Sequence, residues 1–341
     1  MKTRHVIGSL MVLLLIFGAC REITVRTTVH DDGSFTRTII IRGDSSDVFK
    51  KDLPYPVDTT WAMEVKQDTA DSAKLVVTYT REFQNNDDLM AEIQGDTSWM
   101  KQIPRHTEIR KRFGFFYSRL VYKEVYSSAN PFKELSYKDF LTPEEYLWIT
   151  RQKPVQSPAD SVKRKDAEDK VFQYLEKSAT AEAEKILADG IARLNDPALD
   201  PKEVGKYHDS IHAALNRWDK TDSLLFIDKL SKWSGNPAYL RLNELKPPLF
   251  EEFRQHVEFL TDILGMEEFH VEAELPGVIT KTNSNILAGN KISWDVFPMT
   301  FLLEDYTMSA ESRIVNTWAF ILTGLVLLGL VALLVYKNLK K

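Results

Sequence analysis

The sequence has 341 residues, of which 43% are apolar and 27% are charged, and this is enough chain for one large or two ordinary globular domains. The formal net charge is −5 at pH 7. The central part is more acidic still, because Lys2, Arg4 and the terminal lysines lie at the two ends. A nucleic-acid-binding protein needs a basic face, so this charge argues against nucleic acid as a partner and against broad adhesion to anionic lipid.

The beginning of the chain has the pattern of an export signal. Lys2 and Arg4 precede an apolar run at residues 6–17, which is too short to span a bilayer comfortably, and small residues follow it. Residues 1–19 are therefore predicted to be a signal peptide. Cys20 is the only cysteine, which excludes an intramolecular disulfide bond.

The residues Gly18-Ala19-Cys20 resemble the lipobox of bacterial lipoproteins, although Phe17 stands where that pattern prefers leucine. The resemblance implies that the signal is removed and that the Cys20 thiol is lipidated with acyl chains such as palmitate. An ordinary signal peptide and an uncleaved anchor, each with an incidental cysteine, are the alternatives.

The next part of the chain predicts strands. Apolar and polar residues alternate over residues 22–41 around a turn at Asp32-Gly33, which is the pattern of a β-hairpin because this dipeptide accepts positive φ angles. Further strands are predicted at residues 61–65 and 73–83.

Two stretches then differ in what they indicate. Residues 84–112 are polar and mixed and predict no element. Residues 113–126 are rich in aromatic side chains and predict one long strand or a bent pair, with the aromatic side chains in the core.

From about residue 131 to residue 265 the apolar residues recur at helical spacing. Thr142-Pro143-Glu144 has the form of a helix start, with a capping hydroxyl, proline at the first position and an acid in the first turn. Helices are predicted from Pro143 and at residues 159–194, 201–218, 221–233 and 248–264.

Alternation with a period of two returns near Glu268. The predicted strands lie at residues 270–275, 278–282 and 291–296, and residues 301–308 lead towards the end of the chain. The strands flank the helices, so we predict one β-rich body from residues 20–130 and 266–315, with residues 131–265 as a helical insertion. Both ends of this body meet a membrane, so the first and last strands are expected to be neighbours or near-neighbours, paired in one sheet.

Residues 318–336 carry no charge and reach about 30 Å as a helix, which is the thickness of the hydrocarbon core of a bilayer. A transmembrane helix is therefore predicted at residues 316–336, with a cytoplasmic tail at residues 337–341. A buried core helix is the alternative. The predicted anchoring residues are aromatic or basic and lie at the ends of the helix: Trp318, Tyr336, Lys337, Lys340 and Lys341.

One pair of residues has the spacing of metal ligands. His208 and His212 are four residues apart, so they share one face of a predicted helix, as in zinc hydrolases. Asp209 replaces the usual glutamate with a shorter side chain. An edge position on an amphipathic helix explains both histidines equally simply. The third-ligand candidates are His256, Glu251 and Glu252.

Several short motifs stand in order at the two ends of the predicted body. They are the lipobox, Ile23-Thr24-Val25, Asp32-Gly33-Ser34, Leu275-Pro276-Gly277-Val278-Ile279, Thr282-Asn283 and Ile292-Ser293-Trp294, followed by a spanning helix with a basic end. This order resembles that of the LppM-like envelope lipoproteins of bacteria. It covers about 90 residues. It implies a membrane-tethered α+β domain with a lipid-binding cavity and without a known catalytic set.

Together these patterns predict an α+β protein of the bacterial cell membrane, tethered through acylated Cys20 and a C-terminal helix, with its body on the periplasmic or extracellular face. Phosphate-binding loops and nucleophile elbows are absent from the sequence, and we expect no cofactor. The predicted function is binding, either of a partner protein through the helices or of a lipid-like ligand in the sheet. The alternative is a zinc-dependent hydrolase that uses His208 and His212.

Overall fold

The computed structural model describes residues 21–50, 53–96, 99–215 and 226–339. Within these residues the chain forms two compact units. The β unit consists of residues 22–127, 269–295 and 305–339, and the helical unit consists of Arg21 and residues 128–268 and 296–304. The described residues contain both β-strands and α-helices, so the predicted α+β class is confirmed.

The predicted N-terminal hairpin is confirmed. Strands β1 (Glu22–Val29) and β2 (Phe35–Gly43) pair antiparallel, with Val29 opposite Phe35. Gly33 in the turn has a φ of +98°, a conformation that glycine adopts without steric cost. Every second side chain of both strands is buried, so the hairpin has one face in the core.

The hairpin lies at the centre of a seven-stranded sheet. Parallel to β1 runs β7, with Ile23 opposite Phe269, whereas β2 pairs antiparallel with β4. In spatial order the sheet consists of β3 (Ala62–Gln67), β4 (Leu75–Phe83), β2, β1, β7 (Phe269–Glu274), β10 (Lys291–Val296) and β9 (Ile286–Ala288).

A four-stranded sheet completes the β unit. In spatial order it consists of β5 (Arg105–Arg112), β6 (Tyr117–Tyr126), β11 (Tyr306–Val315) and β8 (Val278–Thr282). The first and last strands belong to the same compact unit, but their expected pairing in one sheet is wrong, because β1 and β11 belong to different sheets. β11 pairs with β6 along its full length, and the free edge of β1 is occupied by β7, which is the first strand after the helical segment.

The stretch without a predicted element contains a helix and a strand. Helix α1 (Asn86–Gln94) is capped by the Asn85 side chain and buries Leu89 and Ile93. β5 has the sequence RHTEIRKR, in which a single aliphatic residue leaves almost no apolar alternation to detect. This strand forms an edge of its sheet, where charged side chains are common.

A polar cluster joins the two sheets inside the β unit. The Arg37 Nη2 atom on β2 lies 2.5 Å from the Glu124 Oε2 atom on β6, and both side chains are at most 1% exposed. The hydroxyl groups of Tyr122 and Tyr126 donate hydrogen bonds to the two Glu124 carboxylate oxygens, at 2.9 and 3.0 Å. Burial raises the pKa of both tyrosines, so they remain neutral donors.

In the helical unit, the observed helix starts agree most closely with the predicted ones at the two helices whose first residues are capped by a side chain. α2 (Pro143–Ile149) begins with a capping box, in which Thr142 and Glu145 bond to each other's backbone N–H groups. α3 (Pro158–Leu194) has 37 residues, and Ser157 caps it. It ends at Asn195, which adopts a left-handed conformation with φ at 50°.

The other helices of this unit are shorter. The helix predicted at residues 201–218 begins as a 3₁₀-helix (Pro201–Tyr207) and becomes α-helical at α4 (His208–Leu215). Residues 216–225, which include parts of two predicted helices, lie outside the described residues. The remaining helices are α5 (Phe226–Ser234), a 3₁₀-helix (Pro237–Glu244), α6 (Glu251–Leu264) and a 3₁₀-helix (Pro298–Leu302).

Candidate membrane-anchoring site

The C-terminal helix α7 (Thr317–Leu339) is long and apolar enough to span a membrane. The mean hydropathy of its most apolar 18 residues is 2.6, and only 6% of that window is buried against the rest of the protein. A core helix would be mostly buried, so the alternative of a buried core helix is wrong. The exposed apolar surface of α7 is suited to the hydrocarbon interior of a bilayer.

A single residue connects α7 to the β unit. β11 ends at Val315 and α7 begins at Thr317, so the link is Asn316 alone. The Asn316 side-chain amide donates hydrogen bonds to the Gly114 and Phe115 carbonyls, at 2.6 and 3.2 Å. Its backbone N–H donates to the Phe116 carbonyl at 2.9 Å. Asn316 thus fastens the start of α7 to the turn between β5 and β6.

The same turn packs aromatic rings against the first residues of α7. The ring centroids of Phe113 and Phe115 lie 6.2 and 5.4 Å from that of Trp318. The centroids of Phe116 and Tyr117 lie 4.9 and 5.8 Å from that of Phe320. We call residues 113–117 the hairpin tip.

The rings of the hairpin tip are exposed, which corrects the expectation that the aromatic run from residue 113 lies in the core. Phe113 is 70% exposed and Phe115 is 47% exposed. The later aromatic residues of the run, Tyr122 and Tyr126, are fully buried, as expected. Composition alone did not separate the two groups. The signal that could have separated them is Gly114, which breaks the strand pattern between the phenylalanines.

The predicted anchoring residues are partly described. Trp318 lies in the first turn of α7 and Tyr336 and Lys337 lie in its last turns, with Trp318 and Tyr336 exposed. The predicted lipidation site Cys20, the signal peptide and the terminal residues Lys340 and Lys341 lie outside the described residues. Arg21 directly follows Cys20, and its Nε atom lies 2.9 Å from the Glu267 carboxylate.

The two candidate zinc ligands lie side by side on α4. Their ring centroids are 6.5 Å apart. The Nδ1 atom of His208 is 2.7 Å from the Glu184 carboxylate, and the Nδ1 atom of His212 is 3.0 Å from the Thr180 hydroxyl, both on α3. Each histidine therefore holds α4 against the long helix through one ring nitrogen.

The third-ligand candidates lie on α6 and have other neighbours. Glu251 accepts a hydrogen bond from Arg254 at 2.7 Å, and the Nε2 atom of His256 is 3.7 Å from Glu252. Within the described residues, no group of three or more histidine, cysteine, aspartate or glutamate side chains has a geometry that could hold a metal ion.

Comparison with known proteins finds similarity at the level of structure and not of sequence. The sequence matches no protein-family model and no curated protein. Among solved structures, the chain is similar to the folded domain of the LppM protein of Mycobacterium tuberculosis, determined by NMR. The alignment covers 88% of this chain and 92% of that chain, with 9% sequence identity and a TM-score of 0.28.

Proposed function

We propose that this chain is a bacterial cell-envelope protein that is held to the membrane at two points and that binds a partner protein without catalysing a reaction. One tether is α7, with its C-terminus in the cytoplasm, and the other is an acyl group on Cys20. The body then lies on the periplasmic or extracellular face. In this arrangement the protein presents its helical unit to a partner at the membrane surface.

The observation that carries this proposal is the one-residue link at Asn316. Three hydrogen bonds from this residue attach the start of α7 to the hairpin tip, so the β unit continues directly into the apolar helix. A β unit attached in this way is held at the bilayer and cannot extend from it on a flexible stalk.

The pocket at the hairpin of β1 and β2 does not favour a lipid-like ligand at that place in the sheet. This pocket is lined by His30, Phe35 and Glu82, among others, and has a volume of about 90 Å³. Sites for small molecules and cofactors usually measure about 300–1,000 Å³. The acyl chain of a lipid needs more room than this pocket offers.

The contacts of His208 and His212 give no support to the alternative of a zinc-dependent hydrolase. His208 and His212 each use Nδ1 to bind a side chain of α3, which explains their spacing as packing between two helices. An edge histidine of this kind needs no metal.

Photo-crosslinking in membranes tests the binding proposal. A photoreactive amino acid at Val162 on α3, which is 60% exposed, is expected to crosslink one defined protein in the full-length chain. Met63 on β3 is the matched control, because it is 56% exposed but belongs to the β unit. Crosslinks from Met63 alone, or from neither position, would contradict binding through the helical unit.

A further inference from the structure

The exposed face of the four-stranded sheet carries a row of arginines close to the hairpin tip. The opposite face is buried in the core through residues such as Leu120 and Tyr122. Arg112 on β5 lies directly opposite Arg119 on β6, and Arg119 lies directly opposite Arg313 on β11. Since residues opposite each other in antiparallel strands share a face, the three arginines form one line across three strands.

This arginine row has more positive charge than the described residues offset. Arg119 and Glu311 form a loose ion pair at 3.5 Å, with the Arg119 side chain 60% exposed. The Arg313 guanidinium lies 4.8 Å from the ring centroid of Tyr117. Arg112 has no ion pair within the described residues. Like charges directly opposite each other destabilise a sheet, so the row is unfavourable for the sheet by itself and favourable for binding an anion.

An apolar row lies on the same face between the arginines and α7. It consists of Tyr117 and Val315, which are opposite each other and both exposed. The two rows are two residues apart along each strand, which is about 7 Å. The exposed rings of the hairpin tip extend this apolar row to Trp318 and Phe320.

From α7 outwards, the apolar row comes first and the arginine row second, and this order matches the change from hydrocarbon to phosphate headgroups at the surface of a bilayer. A spanning helix places its terminal aromatic residues at the level of the headgroups, and Trp318 is the first aromatic residue of α7. The rings that contact Trp318 are then at the same depth. The arginine row follows on the solvent side, where lipid phosphates lie. The net charge of the chain argues against broad adhesion to anionic lipid, but this row is local and well defined.

We propose that the hairpin tip and the arginine row form a bilayer-contact surface. Phe113, Phe115 and Phe116 enter the membrane interface, and the arginine row binds the phosphate groups of anionic lipids. The surface is a third attachment to the membrane, beside α7 and the predicted acyl group, and it fixes which side of the β unit faces the bilayer. It does not depend on the identity of the partner protein.

Spin labelling of the full-length chain in lipid nanodiscs tests the insertion. In a Cys20→Ala background, single cysteines are introduced by Phe113→Cys or by Val315→Cys, the second of which leaves every ring in place. In nanodiscs that contain phosphatidylglycerol, both labels are expected to be reached by oxygen rather than by a water-soluble nickel chelate. A label at Met63→Cys, on the exposed strand β3, is the matched control and is expected to show the reverse.

The contribution of the arginines is tested by charge removal. In the wild-type background, we expect the labels at residues 113 and 315 to be less accessible to the nickel chelate in nanodiscs with phosphatidylglycerol than in nanodiscs of pure phosphatidylcholine. The triple variant Arg112→Gln, Arg119→Gln, Arg313→Gln is expected to lose this difference. The control variant Lys101→Gln, Lys165→Gln, Lys202→Gln changes the net charge equally and is expected to keep that difference. Unfolding temperatures in detergent show whether both variants remain folded.

Two results would overturn the proposal. The first is a label at residue 113 or 315 that is as accessible to the nickel chelate as the label at Met63. The second is an equal response of the wild type and the arginine variant to phosphatidylglycerol, which would remove the anionic-lipid site. In both cases α7 still keeps the protein in the nanodisc, so the proposed tethering is judged separately.

Discussion

At the scale of single residues, Glu124 illustrates how a charge is kept inside the β unit. Its carboxylate contacts Arg37 and accepts two tyrosine hydroxyl groups. Replacement by Glu124→Gln leaves Arg37 as an uncompensated buried charge and is expected to destabilise the protein by about 3–5 kcal/mol. Urea or thermal unfolding of the full chain in detergent measures this.

The control for that substitution is Glu108→Gln. Glu108 lies 3.4 Å from Arg110 in an exposed ion pair on β5, so its loss is expected to change the free energy of unfolding by less than about 0.5 kcal/mol. Equal effects of the two substitutions would contradict a structural role for the buried pair.

The same carboxylate predicts a pH dependence of stability. Burial alone raises the pKa of Glu124, but Arg37 and the hydrogen bonds from Tyr122 and Tyr126 lower it further than burial raises it, to below its ordinary value of 4.5. The folded state therefore binds fewer protons than the unfolded state. Its stabilising effect is present above pH 4.5 and is lost as the pH falls through the lower, folded-state pKa. The unfolding temperature of Glu124→Gln is expected to decrease less than that of the wild type over this acidic range.

Sequence alone could not have predicted this pair. Arg37 and Glu124 are 87 residues apart, on strands of different sheets, and each stands in an alternating pattern where a charge usually faces water. The hairpin of β1 and β2 was predictable, in contrast, because its turn residues and its alternation are local.

At the scale of elements, the turn between β5 and β6 depends on Gly114. A Cβ atom at this position would collide with the Tyr117 carbonyl oxygen, so Gly114→Ala forces the backbone of the hairpin tip to move. We expect a loss of about 1–3 kcal/mol in the free energy of unfolding. Gly205→Ala is the control, because a Cβ atom there meets no atom within 4 Å. Thermal unfolding in detergent distinguishes the two.

The link between β11 and α7 gives a second prediction for an element. Asn316→Ala removes the side-chain hydrogen bonds to the Gly114 and Phe115 carbonyls. Amide hydrogen exchange is expected to become faster in residues 113–118 and at the start of α7, since the turn loses its attachment. Asn290→Ala, in the exposed turn before β10, is expected to leave these amides unchanged.

Elements with local signals were predictable and elements without them were not. The hydroxyl, proline and acid at Thr142-Pro143-Glu144 predict the start of α2, and the helical spacing of apolar residues from residue 159 predicts that of α3 within one residue. β5 was missed because its charged residues obscure the period of a strand, and the hairpin tip was misassigned because aromatic side chains suit a core and a membrane interface equally well.

At the scale of the whole molecule, the two proposed tethers predict how the chain is retained in membranes. Cys20→Ala alone is expected to leave the protein in the membrane fraction, because α7 remains. Removal of residues 317–341 alone is expected to do the same where Cys20 is acylated. Only the combined change is expected to release the protein into the soluble fraction at high salt, which screens the arginine row of the proposed bilayer-contact surface, as measured by fractionation and by labelling with an alkyne fatty acid. Release by the second change alone would contradict acylation of Cys20.

The sequence was sufficient to predict the fold class, but it was not sufficient to predict which strands pair with each other. The change from strands to helices and back to strands predicted an α+β fold. It did not predict that β1 pairs in parallel with β7 or that β11 joins the other sheet, because pairing between strands this far apart in the chain leaves no mark in local sequence patterns.

The single residue between β11 and α7 has a mechanical consequence. A helix of 23 residues is about 35 Å long, a little more than the hydrocarbon core of an average bilayer. In the proposed spanning arrangement we expect α7 to accommodate this difference by tilting. Because Asn316 alone connects α7 to the four-stranded sheet, we expect such a tilt to be passed on to the β unit, so that membrane thickness influences the depth of the hairpin tip.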